Sequence, residues 1–323
     1  MTHEPTYRHR VPRLPLSVLA TLAISWSTIT PPVRAQPAPQ TLDFETPQIQ
    51  GTICLDGAYH GVTRLIDKRS GRQLIDPRYS ALNLFKLMSV NLVMGQPRQM
   101  ERTVQFGPDW AEVRWPPTDT HLGEVIARYQ VRPPNAIDLT VTVRSQADYP
   151  VYETFLSSYF DNTLQPHVYL KSRDGKSSDL VHPMVNDVFR NTLLVFPRDL
   201  HSARHCVDGR WDRREGSGPV IQNCPVRPYA HCLGMLVDPE KTLAVLLMAN
   251  PRDCYAFSTR YDAEDQADRL TTYSAFDFSL FGHDFTPGTE QTATVRLAVT
   301  PLDPEFTQPL QLYNEFLQYQ QTR

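Results

Sequence analysis

Residues 136–162 read AIDLTVTVRSQADYPVYETFLSSYFDN. In the first half Ile137, Leu139, Val141 and Val143 alternate with Asp138, Thr140, Thr142 and Arg144. A period of two sends the apolar set to one face and the polar set to the other, the pattern of a half-buried strand. The link from Ser145 to Pro150 is polar. The second half, Val151 to Phe160, carries aromatics on both faces. That suits a strand in the middle of a large sheet, with one face in the core and the other lining a concave surface. A hairpin of two strands is expected here, with the rest of the chain organised around it.

Towards the N-terminus, residues 36–50 are rich in Pro, Gln and Thr and read as an extended linker. A strand follows at Gly51 to Leu55, then a turn at Asp56-Gly57. His60 to Ile75 reads as a hairpin in which Gly71 supplies the positive φ of the turn. Asn83 to Met94 is apolar enough for one or two buried strands. Thr103 to Phe106 and Ala111 to Trp115 flank a Gly107-Pro108-Asp109 turn, and Glu124 to Val131 forms a further strand.

Beyond the central stretch, strands are expected at His167–Lys171, Thr192–Phe196, Cys232–Val237, Leu243–Ala249, Leu270–Phe281 and Thr292–Val299. Residues 208–218, DGRWDRREGSG, form the most loop-like segment, and residues 263–268 a helical turn. Thr307 to Gln320 is the one clear helix. Pro309 sits early in it, and Leu310, Tyr313, Phe316 and Leu317 share a face. Short strands with frequent turns, and 28 prolines spread along 323 residues, exclude a parallel α/β fold. The expected class is all-β: a large two-layer antiparallel β-sandwich over residues 51–323, closed by a short C-terminal helix.

Residues 1–35 read as a secretory signal peptide: a basic start (Arg8, Arg10, Arg13), a short apolar run, then Val33-Arg34-Ala35. An uncleaved anchor is the alternative. The leader holds four Arg and one Glu, a net of +3, so a whole-chain charge of −3 leaves the remainder at −6. An acidic exported chain without a basic stripe is not a nucleic-acid binder. No transmembrane span is expected after the leader. Of five cysteines, Cys206, Cys224, Cys232 and Cys254 lie close in sequence, which predicts one or two local disulfides with Cys54 left out.

Three segments together resemble the galactose mutarotase-like β-supersandwich: the opening HGVTRLIDKRSGRQLI, the central ETFLSSYFDN, and the closing FGHDFTPGTEQTATVRLAVTPL. The resemblance implies a two-layer antiparallel sandwich whose concave face binds sugars in many members. Its enzymes use a Glu base and a His acid. Glu240, Glu264 and Glu290 fall in turn-like contexts here, and Glu153 lies in a strand but early in the chain. The catalytic pair is therefore not assigned from sequence, and the fold can be shared without the reaction.

The candidate sugar-binding residues are Tyr159, Asp161, His167, Trp211, His231 and His283. An aromatic ring with amide or carboxylate neighbours suits a polyol. Tyr159 and Asp161 supply that at a strand end, where an Asp-Asn turn is the plainer reading. Trp211 sits in a polar loop, where it either stacks on a ligand or pins the loop. His201 and His205 have i, i+4 spacing without the glutamate of a metalloprotease motif. His205-Cys206 and His231-Cys232 are adjacent pairs, which point to opposite faces of a strand and do not make a zinc site. No metal or cofactor is expected. The leading expectation is an exported carbohydrate-binding or carbohydrate-active protein with epimerase, lyase or hydrolase chemistry. The alternatives are a non-enzymatic cell-envelope module and a receptor-like binding protein for another ligand.

Overall fold

The computed structural model describes residues 40–90, 92–183, 192–206, 221–223, 227–261 and 273–322. The expected signal peptide, the loop at 208–218 with Trp211, Cys224 and the turn at 263–268 lie outside them. The described residues form three sheets. A small antiparallel sheet joins β1 (Thr41–Glu45), β2 (Ile49–Cys54) and β3 (Gly61–Asp67) in sequence order. Part of the segment expected as a linker is therefore strand.

The seven-stranded sheet runs β14 (Ile221–Asn223), β13 (Thr192–Pro197), β17 (Cys254–Tyr261), β18 (Ser274–Phe285), β10 (Tyr149–Phe160), β4 (Asn83–Ser89), β5 (Leu92–Gly95). The nine-stranded sheet runs β12 (Ser178–Val181), β11 (Gln165–Lys171), β15 (Tyr229–Val237), β16 (Leu243–Ala249), β19 (Glu290–Pro301), β9 (Ala136–Ser145), β8 (Gly123–Arg132), β7 (Trp110–Trp115), β6 (Thr103–Phe106). All pairings are antiparallel except β13 with β14. Two helices complete the described chain, α1 (Leu200–Ala203) and α2 (Thr307–Gln321).

Both halves of the central stretch are strands, but they do not form a hairpin. Strand β9 pairs with β8 and β19, whereas β10 pairs with β4 and β18 in the other sheet. The link between them crosses from one layer to the other. Its ends are held elsewhere: Ser145 N–H donates to Thr289 O at 2.9 Å and Gln146 N–H to Leu122 O at 2.8 Å. The composition of β10 accounts for its position. Alternate residues Tyr152, Leu156 and Phe160 enter the main core between the sheets, and Glu153, Phe155, Ser157 and Tyr159 on the opposite face are also buried.

The nine-stranded sheet meets that core with Val125, Ala127, Tyr129, Leu139 and Val141. Strand β16 is apolar and buried along its whole length, because α2 covers its other side. Tyr313 and Phe316 of α2 are the buried contacts. Asp138 is buried beneath this helix and accepts from both Arg132 (3.0 Å) and Arg296 (2.6 Å). Further along the same outer face, Arg114, Glu124, Arg144 and Glu290 form an ion-paired ladder across the strands.

The expected local disulfides are not formed: Cys54, Cys206, Cys232 and Cys254 are free thiols. Nearness in sequence misleads here. Cys206 packs with Leu193, Val195, Tyr255 and Ala256, while Cys232 and Cys254 belong to the main core. Among the described residues no helix is long and apolar enough to cross a membrane.

Candidate functional site

In an antiparallel pair, directly opposed residues share a face. On the face of the seven-stranded sheet turned away from the core, this rule assembles two rows that carry polar groups. Asn83, Ser157, Asp277 and Ser258 run across β4, β10, β18 and β17. Lys86, Phe155, Ser279 and Ala256 run beside them. Lys86, Ser157, Asp277, Ser258 and Ser279 are all at most 4% exposed. Charged and hydroxyl side chains are rarely buried at this density for packing alone.

Glu153 projects from β10 into the same face, 3% exposed, and accepts a 2.5 Å hydrogen bond from the Tyr255 hydroxyl. The backbone around it is irregular. The β10–β18 register shifts on either side of Tyr152. Val151 has φ 46° and Phe281 φ 74°, both left-handed, and Val151 is β-branched. Such a residue is a conformational outlier, and bulges of this kind re-aim a neighbouring side chain. Gly282 follows with φ 77°, and a Cβ there would lie 2.3 Å from Tyr255 Cδ1. The bare backbone at Gly282 makes the space that the Tyr255 ring occupies.

At the other end of β10 the same face ends in four tyrosines. Tyr159 meets Tyr79 at 4.9 Å between ring centroids and Tyr273 at 5.0 Å, and Tyr59 meets Tyr79 at 5.0 Å. Tyr59 and Tyr79 are partly exposed. The Arg98 guanidinium lies over Tyr59 (4.5 Å) and Phe85 (4.1 Å), donates to Asn83 Oδ1 at 2.6 Å, and reaches the Tyr159 hydroxyl at 3.3 Å. The result is an aromatic wall with a cation fixed on it, next to a buried acid and hydroxyl set.

Of the residues expected from sequence, Tyr159 lies in this group. Asp161 is just past the strand end, where it accepts from Arg72 at 3.2 Å and from Thr163. Burial works to raise its pKa, but the Thr163 and Arg72 hydrogen bonds outweigh it and hold the carboxyl below its ordinary range. His283 is exposed on β18 among Phe281 and Phe285. His167 and His231 lie on the other sheet. His167 stacks on His182 at 4.8 Å and also meets Phe306, just before α2. His231 sits between Tyr169 and Tyr313, beneath α2. Burial lowers the pKa of both, and for His167 the charges of His182 and Lys241 lower it further. Trp211 lies outside the described residues. The five described candidates therefore do not share one face.

Sequence reading missed Tyr255, Lys86, Asp277, Arg98 and the tyrosines at 59, 79 and 273. One signal was present: Glu153 is a carboxylate in a strand otherwise apolar, aromatic or hydroxyl on both faces.

Solved structures share this architecture. A protein from Escherichia coli K12 assigned as an aldose 1-epimerase superposes with a TM-score of 0.50 at 11% identity, over 82% of this chain and 100% of that one. A galactose mutarotase related enzyme from Lactobacillus acidophilus also gives 0.50, at 12% identity, over 81% and 97%. The fold is galactose mutarotase-like. At this identity the likeness concerns the mutarotase-like fold and not the residues of the site. No family model and no curated protein matches the sequence.

Proposed function

We propose that this chain is an exported carbohydrate-binding or carbohydrate-active protein. Its sugar lies on the outward face of the seven-stranded sheet, against the Tyr59, Tyr79, Tyr159 and Tyr273 wall. The observation that carries the reading is the buried Glu153–Tyr255 pair beside the two rows that carry polar groups. A carboxylate and a phenol in hydrogen-bond contact are an acceptor and a donor, the two parts that proton transfer at a sugar carbon or glycosidic oxygen requires. The aromatic wall gives an apolar surface for a ring face, and Arg98 and Asn83 give directional donors. The names of the structural neighbours, an aldose 1-epimerase and a mutarotase-related enzyme, point to the same substrate class.

A face filled by apolar side chains or covered by the C-terminal helix would favour the non-enzymatic module. The helix packs on the other sheet, and the face in question is rich in charge and hydroxyl groups. The N-terminal pattern of residues 1–35 supports export. The test of turnover is NMR observation of anomer interconversion, epimerisation or glycosidic cleavage across a sugar panel. Glu153→Gln is expected to lower any such rate by about 10²-fold or more, the usual contribution of a positioned acid–base group. An unchanged rate in a folded Glu153→Gln protein removes Glu153 from the chemistry.

A further inference from the structure

We propose that the sugar on this face carries an anionic group, a carboxylate or a sulfate ester, and that Arg98 is the residue that reads it. The inference rests on the sugar-binding reading above and names the class of sugar. Arg98 lies in the loop between β5 and β6, half-buried at the rim of the tyrosine wall. Its Nε donates to Asn83 Oδ1 at 2.6 Å and its Nη2 to the Tyr159 hydroxyl at 3.3 Å. Both partners are neutral. Among the described residues Arg98 forms no ion pair, and its Nη1 has no hydrogen-bond partner. A guanidinium spreads its donors in a planar fork that matches a pair of anionic oxygens. The Nη1 end of that fork is the part left over.

Arg78 supplies the contrast. It lies over Tyr79 of the same wall, 5.1 Å from the ring centroid, but its Nε and Nη2 donate to the two carboxylate oxygens of Asp76 at 3.1 and 3.0 Å. The charge of Arg78 is answered within the chain, and that of Arg98 is not. The whole chain has a net charge of −3. It does not draw anions to itself in general, so a preference for an acidic sugar has to come from a local cation.

The position of this cation is built rather than incidental. Asn83 is fully buried, and its Nδ2 donates to His60 O at 2.7 Å and to Ser80 Oγ at 3.2 Å. A carbonyl only accepts, so the amide is fixed with its Oδ1 towards Arg98. The rings of Tyr59 and Phe85 lie 4.5 and 4.1 Å from the guanidinium carbon. The loop backbone is tied on both sides of the side chain: Trp115 Nε1 donates to Pro97 O at 2.9 Å, and Arg102 Nη2 to Arg98 O at 3.1 Å. A free arginine gives up rotamer freedom when it grips a ligand, and one already held by rings and an amide gives up little. A preorganised guanidinium without a counter-ion is suited to a charge-assisted pair of hydrogen bonds from a ligand.

The test is calorimetric titration of the full-length chain with matched sugars: galactose, galacturonic acid and sulfated galactose, then the corresponding glucose set. At neutral pH and low salt, one acidic sugar should bind about 10-fold or more tightly than its neutral counterpart, the scale of hydrogen bonds to a charged group. High salt should narrow that gap. Whether the uronic acid or the sulfate ester shows it identifies the anionic group. In Arg98→Gln the acidic and neutral sugars should bind with roughly equal affinity, and Arg98→Lys, which keeps the charge without the fork, should retain part of the preference. The ratio is read within each variant, so a general loss of affinity does not imitate the result. A neutral sugar that binds wild type as tightly as both acids overturns the inference and leaves the sugar-binding reading standing. An acidic preference that persists unchanged in Arg98→Gln, or that salt does not touch, overturns it as well. Binding by none of the sugars overturns the inference together with the reading it rests on.

Discussion

His121 illustrates how single side chains set the pH range of this molecule. Its Nδ1–H donates to Gly123 O at 3.1 Å, and its Nε2 accepts from the Tyr152 hydroxyl at 2.9 Å. Burial lowers its pKa to about 4, against the raising effect of the Gly123 carbonyl. His60 is shifted in the same direction by burial and by the charges of Arg102 and Arg98. In the unfolded chain these imidazoles take up a proton near pH 6.5, while the folded chain resists it. The unfolded state therefore binds more protons below that pH, and stability falls as pH drops from about 6.5 to 4. His121 alone should account for about 3 kcal/mol of that loss. Urea titrations at pH 7 and pH 4.5 should show a smaller pH-dependent loss for His121→Gln than for the wild type. An identical loss in the two proteins would remove His121 from the account. A second residue-scale expectation concerns Gly282. Gly282→Ala places a methyl where the Tyr255 ring stands and strains a positive φ. It should weaken sugar binding, read as a raised Kd, more than Gly175→Ala, where φ is also positive but the space is open.

At the scale of elements, the docking of α2 is the part most exposed to test. Asp138 is 2% exposed and satisfies two guanidinium groups beneath the helix, with Arg296 lying 5.1 Å from the Phe316 ring. Removing one member of a buried ion pair strands the others, so Asp138→Ala should cost about 3 kcal/mol in equilibrium unfolding. A cost under about 1 kcal/mol would mean that the two arginines are solvated without it. The elements also show what could be read in advance. The alternation of β9 predicted its half-buried character, and the aromatic repeat of α2 predicted a docked helix. The partner of β9 could not be read. Gln146, Ala147 and Asp148 look like a turn whether the chain folds back on itself or crosses to the opposite sheet. The choice is made by Thr289 and Leu122, which hold the crossing through backbone bonds that sequence does not specify. Likewise Glu153 was visible as a carboxylate in an apolar strand, but its partner Tyr255 lies 102 residues away. Long-range pairing, not local pattern, assembles this face, so Tyr159 at the strand end was visible in sequence and its distant neighbour Tyr255 was not.

For the whole molecule, the proposed function makes one sheet a binding platform and the other its support, with the helix on the support side. A ligand that binds only the folded state raises the midpoint of unfolding with its concentration, by about 2.7 kcal/mol at one hundred times its Kd. For a chain of this size that is a shift of roughly 4 °C. The most direct test of sugar binding on this sheet is the thermal midpoint of the protein against a panel of mono- and oligosaccharides, repeated with Tyr159→Ala and with His231→Ala. The expected result is a concentration-dependent rise with one sugar class, lost in Tyr159→Ala and kept in His231→Ala, since His231 lies under α2 on the other sheet. No shift with any sugar at millimolar concentration, or a shift lost in His231→Ala and kept in Tyr159→Ala, would contradict it.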